Sequence, residues 1–97
     1  MDNPKLEVTA FVMMKVEPGH AKEALIQLEQ KYKGKWKGPG KGITEAYVIT
    51  GEYDIVAKVE VHTNSELLDL VDSLAKHSSP QLITKTQTSV ASDHVWK

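Results

Sequence analysis

The chain has 97 residues, 12 basic and 13 acidic, for a formal charge of −1, and no cysteine. That length suits a single domain with a modest core. The near-neutral balance supplies no field for nucleic acid or a membrane surface, and the missing thiols exclude disulfides, thiolate metal sites and a cysteine nucleophile. All 12 basic residues are lysine. The side chain best shaped for bidentate reading of guanine or phosphate is therefore absent, which argues against direct specific DNA binding.

The opening residues, MDNPKLEV, lack the charged-then-apolar pattern of a signal peptide. No apolar run approaches the ~20 residues of a spanning helix. The expectation is a cytoplasmic protein with no membrane partner. From Leu6 to Val16 the chain alternates. Leu6, Val8, Ala10, Val12, Met14 and Val16 share one face, and Phe11 and Met13 lie on the other. A period of two with large apolar groups on both faces predicts a central strand.

Glu17-Pro18-Gly19 breaks that run, and the spacing of Ala21, Ala24, Leu25, Leu28 and Tyr32 predicts a helix over 19–32. Lys33 to Lys41, KGKWKGPGK, reads as a loop: glycine and proline are frequent and no period is visible. Counting Lys31 just ahead of it, five lysines (31, 33, 35, 37 and 41) surround Trp36. The segment suits either a basic, aromatic-tipped phosphate clamp or a solvated loop whose charges aid solubility, and phosphate attraction alone is unspecific.

Ile43 to His62, ITEAYVITGEYDIVAKVEVH, reads as two strands joined at a turn, Thr50-Gly51-Glu52. Asp54 interrupts the apolar run just after the turn, which points to a local role. Thr63-Asn64-Ser65-Glu66 matches a capping box, and Leu67, Leu68, Leu70, Val71, Leu74 and Ala75 mark a second helix. It ends near His77-Ser78-Ser79, where Pro80 forbids continuation. Gln81 to Ala91 is a last strand, with Leu82, Thr84, Thr86, Thr88 and Val90 on one face and Ile83, Lys85, Gln87 and Ser89 on the other. Residues 92–97 form a tail.

The order β-α-β-β-α-β predicts one α+β domain over 1–97. Its fold would be a ferredoxin-like sandwich: a four-stranded antiparallel sheet, first and third strands central, with both helices on one face. Phe11, Met13, Val48 and Val56 are expected on the other face, too much apolar surface to leave wet, so a second subunit should cover it.

No catalytic set stands out. Glu45, Glu52, Asp54 and Glu60 have no paired acid or base, and the four histidines lack the spacing of a helical metal site. Neither a metal nor a cofactor is expected. Two stretches remain. Gly51-Glu52-Tyr53-Asp54 is either a turn whose aspartate bonds local N–H groups or a rim offering backbone donors and an acid to a small ligand. Thr84, Thr86 and Thr88 are either ordinary strand formers or a row of hydroxyls suited to a polar ligand.

Val48-Ile49-Thr50-Gly51-Glu52-Tyr53-Asp54-Ile55 resembles the hairpin of the effector-binding domain of the Lrp/AsnC regulators, in which a strand ends in T-G-x-Y-D and runs into an apolar strand. The likeness extends from Val8 to Ala91. It implies a dimeric α/β barrel that assembles further into rings. It also implies a stand-alone effector domain without the helix-turn-helix, working in transcriptional regulation and co-assembling with full-length regulators. By resemblance, an amino acid or related small molecule binds between subunits at Gly51, Tyr53, Asp54, Thr84, Thr86 and Thr88. A competing class, from fold analogy alone, is a small dimeric-barrel enzyme such as a monooxygenase or haem-degrading protein.

Overall fold

The computed structural model describes residues 8–34, 36, 40–76 and 82–91. The elements run β1 (Val8–Val16), α1 (Ala21–Tyr32), β2 (Gly42–Val48), β3 (Ile55–Val61), α2 (Asn64–Lys76) and β4 (Ile83–Val90). The strands form one antiparallel sheet in the order β2-β3-β1-β4, so the first and third strands are central as their two-faced apolar pattern requires. This is the ferredoxin-like βαββαβ arrangement. Leu6 and Glu7, the helix stop at 77–80 and the tail 92–97 lie outside the described residues.

One face of the sheet carries the core. Ala10, Val12 and Met14 of β1 and Ile55, Ala57, Val59 and Val61 of β3 are fully buried against Ala24, Leu28 and Tyr32 of α1 and Leu67, Leu70 and Leu74 of α2. Each large aliphatic side chain buried this way contributes about 1.5–3 kcal/mol. Leu68, one residue off the α2 stripe, is instead largely exposed.

Local chemistry sets the helix ends. Gly19 takes a positive φ of 83° in the turn after Pro18, so α1 starts at Ala21 rather than at Gly19. At the start of α2, Thr63 Oγ1 accepts from the Glu66 N–H at 3.2 Å. The Glu66 carboxylate reaches back to the N–H of His62 at 2.9 Å, one residue beyond the cap.

Both edge strands carry a bulge. In β2 the register passes from Ile43↔Val59 directly to Glu45↔Lys58, which leaves Thr44 as an extra residue. In β4 it passes from Val16↔Ile83 to Lys15↔Lys85, which leaves Thr84 extra. A one-residue slip moves every later side chain to the other face. This corrects two expectations. Val48 pairs with Ile55 on the helix-bearing side, and Tyr47, opposite Val56, occupies the open side in its place. Ile83, opposite Val16, shares the helix-bearing side with Thr86 and Thr88, which pair with Met14 and Val12. The open face therefore bears Phe11 (41 % exposed) and Tyr47 (57 %), with Met13 and Val56 half-buried between them.

Gly42 opens β2 at a φ of 107°, and a Cβ there would meet the Tyr32 carbonyl and the Trp36 Cβ. Gly51, at φ 136°, has open space around it. Gly42→Ala should therefore lose more stability than Gly51→Ala, which bears backbone strain of about 1–3 kcal/mol alone. Urea denaturation of the two variants checks the ranking.

Candidate functional site

Six residues, Ile49 to Asp54, connect β2 to β3, closed by a bond from the Ile49 N–H to the Asp54 carbonyl at 2.9 Å. The loop bends over the end of β1. Asp54 donates its N–H to the Met14 carbonyl at 2.9 Å and accepts the Val16 N–H on Oδ2 at 2.8 Å. Its carboxylate is thus partly committed to backbone, but to the end of β1, 38 residues away, rather than to the N–H groups of its own turn.

Tyr53, next in line, is 8 % exposed. Its hydroxyl donates to Gln87 Oε1 of β4 at 2.8 Å. Lys15 and Lys85 place their ammonium groups 6.0 and 5.8 Å from the centre of its ring. Lys15 also donates to the Glu52 carbonyl at 2.6 Å. Gly51 stands at the exposed tip.

The six residues singled out from sequence do not converge within one protomer. Gly51, Tyr53 and Asp54 share the loop, and Tyr53 lies on the open side beside Lys15, Lys85 and Gln87. Thr86 and Thr88 are half-buried on the helix-bearing side, so the sheet separates them from Tyr53. Thr84 sits in the bulge, where its hydroxyl makes a long 3.4 Å contact to the Lys15 carbonyl. Lys15, Lys85 and Gln87 were not singled out from sequence. Their signal was available: Lys85 and Gln87 fall opposite the threonines on the last strand, and Lys15 falls two residues from Met13.

The lysine-rich loop turns its aromatic residue inward. Trp36 donates its indole N–H to the Glu66 carbonyl at 3.2 Å and meets the Tyr32 ring at 5.5 Å between centres. The backbone is tied by Gly34 N–H to Ile43 O at 3.3 Å and Trp36 N–H to Lys41 O at 2.8 Å. Trp36 is an anchor, not the tip of a clamp; Lys35 and Lys37 lie outside the described residues.

A separate cleft of about 290 Å³ lies between α1 and β2, with Leu25, Leu28, Ile43 and Ala46 among its lining. Glu29 and Lys33, 3.4 Å apart, also line it. None of the six predicted ligand residues reaches it. Glu45 and Tyr47 complete its rim, and Tyr47 donates to Glu45 Oε1 at 2.9 Å. That hydrogen bond and the adjacent negative charge hold the phenol above its ordinary pKa. Among the described residues no group of three or more histidine, aspartate or glutamate side chains is placed to hold a metal, and no helix is long and apolar enough to cross a membrane.

The Asp54 bonds make a test of their own. Asp54→Ala leaves the part-buried Val16 N–H without its acceptor and should cost about 1–3 kcal/mol. Asp54→Asn keeps an oxygen in place and should cost less. Chemical denaturation of both variants measures the difference.

The chain matches solved structures and a family model. It is 32% identical to FFRP-DM1, covering 87% of this chain and 97% of that one, with a TM-score of 0.62. It is 31% identical to the hypothetical protein PHS023 from Pyrococcus horikoshii, covering 90% and 92%, with a TM-score of 0.62. The transcriptional regulator NMB0573 from Neisseria meningitidis, solved as an L-Met complex, shares the fold at 17% identity and a TM-score of 0.72; this chain spans 59% of it. No curated protein matches. The model of the Lrp/AsnC ligand binding domain matches residues 9–97, and by that match over nearly its whole length the chain belongs to the Lrp/AsnC ligand-binding domain family.

Proposed function

We propose that this chain binds a small effector, an amino acid or a close analogue, and passes its occupancy to transcriptional regulators by changing how copies or partner regulators assemble. The observation that carries the reading is the family match, which covers the T-G-x-Y-D loop and the threonine strand alike. The L-Met complex of the Neisseria protein supports an amino acid as the ligand class.

The open face supports association. Phe11, Met13, Tyr47 and Val56 form an apolar centre on the side the helices leave uncovered. A second copy laid on it would bury that centre, each large residue adding about 1.5–3 kcal/mol when fully covered. Val48 drops out of this surface and Tyr47 enters it.

Effector and association are connected by geometry. Tyr53 of the loop lies on the open side of the sheet and Thr86 and Thr88 lie on the other. A ligand that touches both sets must bridge two copies. Binding between subunits, with the loop from one and the threonines from another, is the arrangement that reading requires.

Two experiments test it. Met13→Asp with Val56→Asp should give monomers or unfolded chain in sedimentation; stable dimers would place the interface elsewhere. A thermal-shift screen of the twenty amino acids should show at least one that raises the melting temperature. At a hundredfold excess over its Kd such a ligand adds about 2.7 kcal/mol. A flat screen at millimolar concentrations would remove amino acids as the effector class.

A further inference from the structure

Lys15 and Lys85 stand directly opposite each other on β1 and β4, on the open side of the sheet. Like charges in that relation repel and destabilise a strand pair. Three other lysines sit beside carboxylates, Lys33 with Glu29, Lys58 with Glu60 and Lys76 with Asp72, while Lys22 on α1 has no such partner among the described residues. Neither Lys15 nor Lys85 forms an ion pair with a carboxylate among the described residues. The partners they have are neutral: the Tyr53 ring for both, and the Glu52 carbonyl for Lys15. Asp54, in the same loop, has given one carboxylate oxygen to the Val16 N–H.

The ring beside which both ammonium groups stand is fixed. Tyr53 is 8 % exposed, and its hydroxyl is held by Gln87 at 2.8 Å. The electron-rich face of a tyrosine attracts cations, which offsets part of the repulsion but supplies no net negative charge. What remains, among the described residues, is two ammonium groups held around one rigid ring with no carboxylate in ion-pair contact with either. Covering this face with a second copy would strip water from both and raise the cost of leaving them unpaired.

We propose that Lys15 and Lys85, flanking Tyr53, form a binding site for the oxyanion group of a small ligand, a carboxylate or a phosphate. An oxyanion between the two ammonium groups turns a repulsive pair into two charge-assisted hydrogen bonds. The site shares Tyr53 with the effector loop but rests on the lysines, and it does not require the ligand to be an amino acid.

The test uses the full chain in a buffer free of multivalent anions, at constant ionic strength, with Lys85→Gln and Lys85→Arg as variants. Lys15 is left intact because it also holds the Glu52 carbonyl. Tyr53 ring resonances are followed by NMR against inorganic phosphate, L-methionine and L-methionine methyl ester, and melting temperatures are recorded without any probe. Lys85→Gln should melt at or above the native chain, because the repulsion is relieved. In the native chain and in Lys85→Arg, phosphate or L-methionine should shift the Tyr53 resonances saturably, and in Lys85→Gln the affinity should fall roughly tenfold or more. A response to L-methionine but not to its ester identifies a carboxylate as the bound group; a response to phosphate alone identifies a phosphate.

A Lys85→Gln chain that melts several degrees lower would mean that the lysine serves to hold Tyr53, and the proposal fails. It fails equally if neither probe shifts Tyr53, or if both shift it unchanged in Lys85→Gln. An amino acid that stabilises the native chain and Lys85→Gln alike leaves the effector reading standing and removes this one. Saturable phosphate binding lost in Lys85→Gln, with a flat amino-acid screen, does the reverse.

Discussion

The carboxylate of Asp54 accepts the Val16 N–H at 2.8 Å while the Asp54 N–H donates to the Met14 carbonyl at 2.9 Å, and the placement of the loop follows from that pair of bonds. Pairing of β3 with β1 stops at Met14↔Ile55. Beyond it, a side chain supplies the acceptor for a strand N–H, which a part-buried donor needs. Asp54 thus fastens the β2–β3 connection to the end of the central strand. Tyr53 precedes it directly and is carried across β1 to reach Gln87 on β4, which places its ring centre 6.0 and 5.8 Å from the Lys15 and Lys85 ammonium groups. A loop residue, a central strand and an edge strand are brought together by one anchored aspartate.

The regular parts of this fold are written plainly in the residues. β1 and β3 alternate without interruption, their buried faces are the predicted ones, and both helices show their stripes. The bulges at Thr44 and Thr84 are not legible, because a threonine in a bulge looks like a threonine in a strand. Their effect is nonetheless large: they put Val48 on the helix-bearing side and set Thr86 and Thr88 on the side away from Tyr53. The candidate site was half legible for a related reason. Tyr53 and Asp54 announce themselves in a short motif, but Lys15 and Gln87 lie 38 and 34 residues away in the chain and join them only through strand register.

Trp36 shows how composition can mislead where packing decides. Its neighbours are lysines and glycines, a pattern of an exposed loop, yet the indole N–H bonds the Glu66 carbonyl and the ring rests against Tyr32. The loop thereby joins the end of α1 to the start of α2. Gly42 completes that junction, since any side chain there would collide with the Tyr32 carbonyl and Trp36. Lys33 stays largely in water beside Glu29 while Trp36 anchors the segment, so one sequence block serves two environments.

The open face combines an apolar centre with a positively charged end, and the two make different demands. Phe11, Met13, Tyr47 and Val56 gain by losing water, whereas Lys15 and Lys85 lose by it unless a counter-charge arrives. A second copy that covers the centre therefore meets a cost at the lysine end, and an oxyanion bound there removes that cost. Linkage then runs both ways: whatever factor the anion adds to association, association adds to anion affinity. In a domain of this size, where folded stability is a small difference of large terms, a coupling of one or two kcal/mol shifts assembly by roughly a factor of 5–30. Ligand sensing would then need no moving lid and no second domain, only a sheet face whose charge is incomplete until the ligand supplies it.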